Sequence, residues 1–135
     1  MKNITNIDYS KDSVSISLLI LRVGVAVMML VHGIPKLQML FSGDIQFPGV
    51  MGMSPTFSLT LAVLAEVLCS VLILIGLFTK VAVVPLIITM LTAVFLIHGG
   101  DPFATQELGI LYLLVYSALL MLGSGKFSID AILRT

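Results

Sequence analysis

Four long apolar stretches dominate this chain, at about Val14 to Leu37, Phe57 to Phe78, Val81 to Ile97 and Gln106 to Gly123. A helix needs roughly 20 mainly apolar residues to cross a hydrocarbon core of about 30 Å, and each stretch approaches or exceeds that length. Inside lipid the backbone has no water to bond to, so runs of this length have to close their own hydrogen bonds as helices. With 59% hydrophobic and only 10% charged residues, the chain lacks the polar surface that would dissolve it. The expectation is an all-α integral membrane protein, a four-transmembrane-helix bundle forming one domain over residues 1–135, with no room for a separate soluble unit.

The polar start MKNITNIDYSKD runs into the first apolar stretch without a small-residue cleavage site, so that stretch is expected to remain as an anchor. Lys2, Lys11, Lys80, Lys126 and Arg134 fall on the N-terminal side of the membrane, and only Lys36 falls toward the other. The positive-inside bias then predicts both termini in the cytoplasm (N-in/C-in), with the loops Gln38 to Thr56 and Gly99 to Thr105 facing outward. Net charge is zero and gives no pointer to nucleic acid. Cys69 is the single cysteine, which excludes an internal dithiol relay and reads as a small buried hydrophobe.

A charge facing lipid costs about 2.5 to 3.5 kcal/mol even on lenient scales, so the few ionisable residues within the spans are expected to face the bundle interior. Glu66 falls near mid-depth. Arg22, on the first span, is its expected partner, and the two would fasten the first helix to the second. At 100° per residue, Arg22, Met29, Gly33 and Lys36 share one face of the first helix, with His32 beside them. Gly33 admits a close neighbour, and Pro35 tends to kink the helix end. His98 precedes the exit turn GGDP, and Glu107 sits where an acid in a first turn complements the helix dipole. His32, Lys36, His98 and Glu107 are therefore expected in one layer near the outer surface, as a candidate ligand site.

The run RVGVAVMMLVHGIPKLQML resembles the first-helix signature of the DoxX family: an arginine, then a glycine, then a histidine-glycine pair and a Lys-Leu dipeptide. AEVLCSVLILIGLFTKVA is similar to that family's glutamate-containing helix, which ends in Gly-Leu-x-Thr and a basic residue. GSGKFSIDAIL is similar to its closing segment. The likeness runs from about Ser17 to the C-terminus. Pro35 immediately before Lys36, and Ser124 where proline is common, depart from the pattern. The resemblance implies a four-helix protein of the bacterial inner (plasma) membrane, linked in several members to quinone-related redox processes, one of them the small subunit of a thiosulfate:quinone oxidoreductase. By motif it carries over Arg22, Gly24, His32, Gly33, Lys36 and Glu66, whereas His98 and Glu107 rest on the placement argument.

A quinone ring near headgroup level needs hydrogen-bond donors for its carbonyls and a route for protons. His32, His98 and Lys36 are the candidate donors, Glu107 and His98 the candidate proton exchangers, and Met, Leu and Val side chains the wall for the tail. The chain has no nucleotide fingerprint, flavin motif or cysteine cluster, so any redox role needs a partner subunit that supplies electrons. The leading expectation is a quinone-interacting component of an oxidoreductase system. The alternatives are a small proton-coupled transporter using Glu66 and a non-enzymatic membrane scaffold for a redox partner. Haem between His32 and His98, or a metal held with Glu107, ranks below these, because both histidines lie where a cofactor would be poorly enclosed. Association through Gly24, Gly76 or Gly109 would allow a homo-oligomer.

Overall fold

The computed structural model describes residues 4, 5 and 7–135, so Lys2 lies outside the described residues. Four helices are long and apolar enough to cross a membrane: α1 (Lys11–Ser42), α2 (Pro55–Ile75), α3 (Thr79–Ile97) and α4 (Phe103–Leu122). A short fifth helix, α5 (Ile129–Leu133), closes the described chain, and no strand occurs among the described residues.

Each boundary has a local cause. Ser10 caps α1 by accepting a hydrogen bond from the Ser13 amide, and Ser54 does the same for Phe57 at the start of α2, with Pro55 in the first turn. The first helix runs past the expected end at Leu37, straight through Pro35, and stops at Gly43, whose φ of 80° breaks the helix. The second ends at Ile75 instead of Phe78, because Gly76 takes the left-handed conformation at φ 72°. The fourth begins at Phe103, earlier than expected, so Glu107 lies beyond its first turn.

Successive helices are antiparallel and pack in a ring, α1 on α2, α2 on α3, α3 on α4, and α4 back on α1. On α1 the buried positions Leu18, Arg22, Val25, Ala26, Met29 and Gly33 recur at three- and four-residue spacing, the single inward face read from the sequence. Leu18, Val25, Ala26 and Met29 among them join Ile73, Leu86, Tyr116 and Leu119 in the core. Half of the most apolar window of α2 is inside the bundle against 17% for α4, so α2 is the most enclosed of the four and α4 turns most of its surface outward. Exposed Val27, Phe95 and Leu114 belong to that outer apolar surface. It is the surface a bilayer covers.

Two helices are locally underwound into π turns, Leu64–Cys69 in α2 and Thr92–Ile97 in α3. Such turns insert an extra residue and re-aim the side chains beside them, and they concentrate at functional sites.

Candidate functional site

Gly33 sets the register of α1 on α2. A Cβ added there would sit 3.0 Å from Glu66 Cβ and 3.1 Å from the Glu66 carbonyl carbon, so this helix crossing exists only because the residue is glycine. Lys36 lies one turn further along α1. Helix side chains lean toward the N-terminus of their helix, and the long Lys36 chain therefore reaches back over Gly33. Its Nζ donates to both carboxylate oxygens of Glu66, at 2.7 and 2.6 Å.

Glu66, 3% exposed and inside the first π turn, is thus paired with Lys36 and not with Arg22. The expected Arg22–Glu66 fastening is corrected by the same register. Arg22 stands eleven residues before Gly33, about 16 Å along the helix axis at a rise of about 1.5 Å per residue. That distance brings it level with Gly76, at the far end of α2.

The ion pair divides two chambers. One, of about 200 Å³, is lined by His32, Lys36, Glu66, His98, Gln106 and Tyr112, with Met29, Met90 and Val94 as its apolar wall. The other, of about 320 Å³, shares Lys36, Glu66 and His98 but is otherwise chiefly apolar, lying beneath Phe47, Pro48, Val50, Met51 and Met53 of the loop between α1 and α2. Ala93, in the second π turn, lines both. Both irregular helix segments therefore face the same site.

Around the polar chamber, the His32 ring meets Tyr112 edge-on, with centroids 6.1 Å apart, and Tyr112 stacks on Tyr116 at 5.9 Å. The Tyr116 hydroxyl is buried without a hydrogen-bond partner. His98 Nδ1 is 2.8 Å from Asp101 Oδ2, and the His98 carbonyl accepts from the Gln106 amide. The site thus combines one fixed cation–carboxylate pair, an imidazole on a tyrosine, and a second imidazole held by an acid at the exposed rim. It can offer hydrogen bonds to a carbonyl-bearing ring and exchange protons with water at the His98 side.

Of the expected layer, His32, Lys36 and His98 come together, with Gly33 packed behind them. Glu107 does not join them: it is exposed and lines neither chamber. Its neighbour Gln106 lines the polar chamber in its place. Tyr112 and Tyr116 were missed by sequence reasoning, although two hydroxyl-bearing aromatics four residues apart on an apolar helix were signal enough. Gly24, carried over by motif, has nothing within 4 Å of its Cβ position and no part in the site.

Arg22 belongs to a separate cluster toward the end of the bundle where α1 begins and α4 ends. It is 1% exposed and donates through Nη2 to the Phe127 carbonyl at 2.6 Å. The segment after α4 folds back here: the Asp130 amide donates to the Gly76 carbonyl, and the Asp130 carboxylate accepts from the amides of Phe78 and Thr79 at the start of α3. Partial burial opposes ionisation of Asp130. Hydrogen bonds from those two amides and from the Ser124 side chain outweigh it and hold the carboxyl below its usual range. Phe127 is exposed, as an interfacial anchor would be, but its backbone has the further task of binding Arg22.

A Bacillus subtilis (strain 168) protein named "Putative oxidoreductase CatD" is 32% identical to this chain over 119 residues, covering 87% of each. No solved structure matches. The DoxX family model matches residues 17–99, which hold Arg22, His32, Gly33, Lys36, Glu66 and His98 and stop before α4. With most of the chain matched on both counts, this four-helix, multi-pass membrane protein belongs to the DoxX family.

Proposed function

We propose that the chain is a quinone-binding membrane component of an oxidoreductase system, with the quinone ring in the polar chamber and the start of its isoprenoid tail in the apolar one. The observation that carries this reading is the Lys36–Glu66 pair standing between the two chambers, with His32 and Tyr112 on its polar side. A quinone has matching chemistry: two carbonyl acceptors on a flat apolar ring, and an apolar chain. Lys36, His32 and Tyr112 supply donors for the carbonyls, and Met29, Met90 and Val94 supply the apolar wall. Reduction to the quinol takes two electrons and two protons. The electrons come from a partner protein, and the protons enter past the His98–Asp101 pair at the rim. The oxidoreductase name of the Bacillus subtilis relative supports a redox setting.

The membrane assignment in this proposal is the bacterial plasma membrane, with both termini cytoplasmic and the chambers toward the outer face. Its support is the distribution of cations: Lys11, Lys80, Lys126 and Arg134 toward the end that carries the termini, against Lys36 alone toward the other.

The deciding experiment is purification in mild detergent, followed by lipid extraction and mass spectrometry for quinones, and by titration with a short-chain ubiquinone or menaquinone. A stoichiometric quinone, or saturable binding that Lys36→Met abolishes, is the expected result. Neither a co-purified quinone nor binding of the added one would overturn the assignment.

A further inference from the structure

We propose that the groove at the end of the bundle where α3 begins and α4 ends binds the phosphate head group of an anionic phospholipid. The groove, of about 710 Å³, lies between the start of α3 and the segment that follows α4. It collects three cations, Lys80, Lys126 and Arg134, and one carboxylate, Asp130. Asp130 is already committed to the amides of Phe78 and Thr79. Lys126, at the rim, pairs with Asp12 and lies 5.2 Å from the centre of the Phe127 ring. Among the described residues no carboxylate lies within ion-pair distance of Lys80 or Arg134. The groove therefore presents net positive charge in a concavity, with an ammonium and a guanidinium left to receive an anion. Arginine grips phosphate oxygens with its planar fork, and lysine serves as a point charge.

Two further observations favour a lipid as the source of that phosphate. Val81 and Leu122 line the same groove at 71% and 60% exposure, an apolar flank that would gain from acyl chains and gain nothing from a free ion. The cations also stand where α3 begins, at Thr79, and α4 ends, at Leu122, the level at which a membrane helix leaves the hydrocarbon and phosphodiesters lie. A zwitterionic head group brings the same phosphate together with a cation, for which the groove has no uncommitted acid. The preference is thus for net negative lipids.

Native mass spectrometry of the full chain, released from detergent with defined lipids, tests this. Phosphatidylglycerol is expected to be retained over phosphatidylcholine. Lys80→Gln and Arg134→Gln are each expected to weaken that retention about fivefold, the usual worth of one surface cation near anionic lipid, and the pair about 25-fold. Lys11→Gln removes the same charge at an exposed position outside the groove and is expected to change nothing. Helical circular dichroism monitors folding, and the single variants at exposed residues carry the test if the double variant loses helix. Equal retention of the two lipids, or an effect of Lys11→Gln as large as that of Lys80→Gln, would overturn the proposal. So would displacement of the lipid by submillimolar inorganic phosphate or glycerol phosphate, which would make a free anion the ligand.

Discussion

Gly33 stands so close to Val67 that a Cβ at Gly33 would lie 2.9 Å from Val67 Cγ2. The contact locks α1 against the π turn of α2, and through it fixes which side chains of the two helices meet. Gly33→Ala is expected to force the helices apart and destabilise the protein by about 1–3 kcal/mol, the usual cost of overpacking. Gly24→Ala, in open space on the same helix, is expected to be neutral or slightly stabilising. Thermal unfolding of the two variants in one detergent compares them directly. Equal melting temperatures would mean that the crossing does not depend on the glycine.

Lys36 is only partly buried, whereas Glu66 is almost fully enclosed, so removing the lysine strands a carboxylate that has no other cationic partner among the described residues. Lys36→Ala is expected to cost about 3–5 kcal/mol, as when one member of a buried pair is removed. Replacing both with apolar residues, Lys36→Met with Glu66→Leu, is expected to recover much of that loss. Unfolding midpoints of the single and double variants give the coupling between the two residues, and additive losses would contradict it.

For ligand retention the geometry ranks the residues. His32→Ala and Tyr112→Phe alter the lining of the polar chamber and are expected to weaken quinone retention about tenfold, the loss of about 1.4 kcal/mol of hydrogen bonding or ring contact. Glu107→Gln alters an exposed residue that lines neither chamber and is expected to leave retention unchanged. Titration of a short-chain quinone against the three variants provides the measurement. A loss confined to Glu107→Gln would move the site out of the bundle.

Asp130 predicts an acid limb in stability. Its folded pKa lies below that of an ordinary aspartate, so the folded state holds the ionised form more strongly than the unfolded state does. The resulting stability is complete above the unfolded pKa and is lost as pH falls through the lower folded one. Asp130→Asn is expected to cost about 1–2 kcal/mol at neutral pH, because the amides at the start of α3 lose an ionised acceptor, and to flatten the profile below about pH 4. Unfolding midpoints of the parent and the variant between neutral pH and pH 3 would show the two curves converging. Curves that stayed parallel would assign the acid limb to another carboxylate.

The spans, the inward face of α1 and the grouping of His32, Lys36 and His98 were legible in the sequence because they follow from hydropathy and the helical period, which are local. The partner of Glu66 was not. Choosing between Arg22 and Lys36 requires the register of two antiparallel helices, and that register is set by the contact of Gly33 with Val67 and Glu66. Depth counted from estimated helix ends does not fix that register: Arg22 and Lys36 stand fourteen residues apart, about 21 Å along α1 at about 1.5 Å per residue, and only the helix crossing decides which of them lies level with Glu66. Glu107 failed for a related reason: the side of α4 that faces the chamber is set by how that helix packs, which brings Gln106 to the chamber and leaves Glu107 exposed. The π turns also escaped notice, since nothing in LAEVLC or TAVFLI breaks an α-helical pattern. The closing segment resembled its family counterpart clearly, yet only the structure reveals that its backbone is the ligand of Arg22.

The bond from Arg22 to the Phe127 carbonyl joins residues 105 apart in the chain. At synthesis rates of about 5 to 20 residues per second, the arginine emerges about 5 to 20 s before the carbonyl it binds. During biogenesis the first helix therefore carries an unsatisfied guanidinium, and it depends on water, lipid phosphate or the insertion machinery until the rest of the chain arrives. The segment after the last span then turns back over the first helix and gives its buried guanidinium a carbonyl to bind.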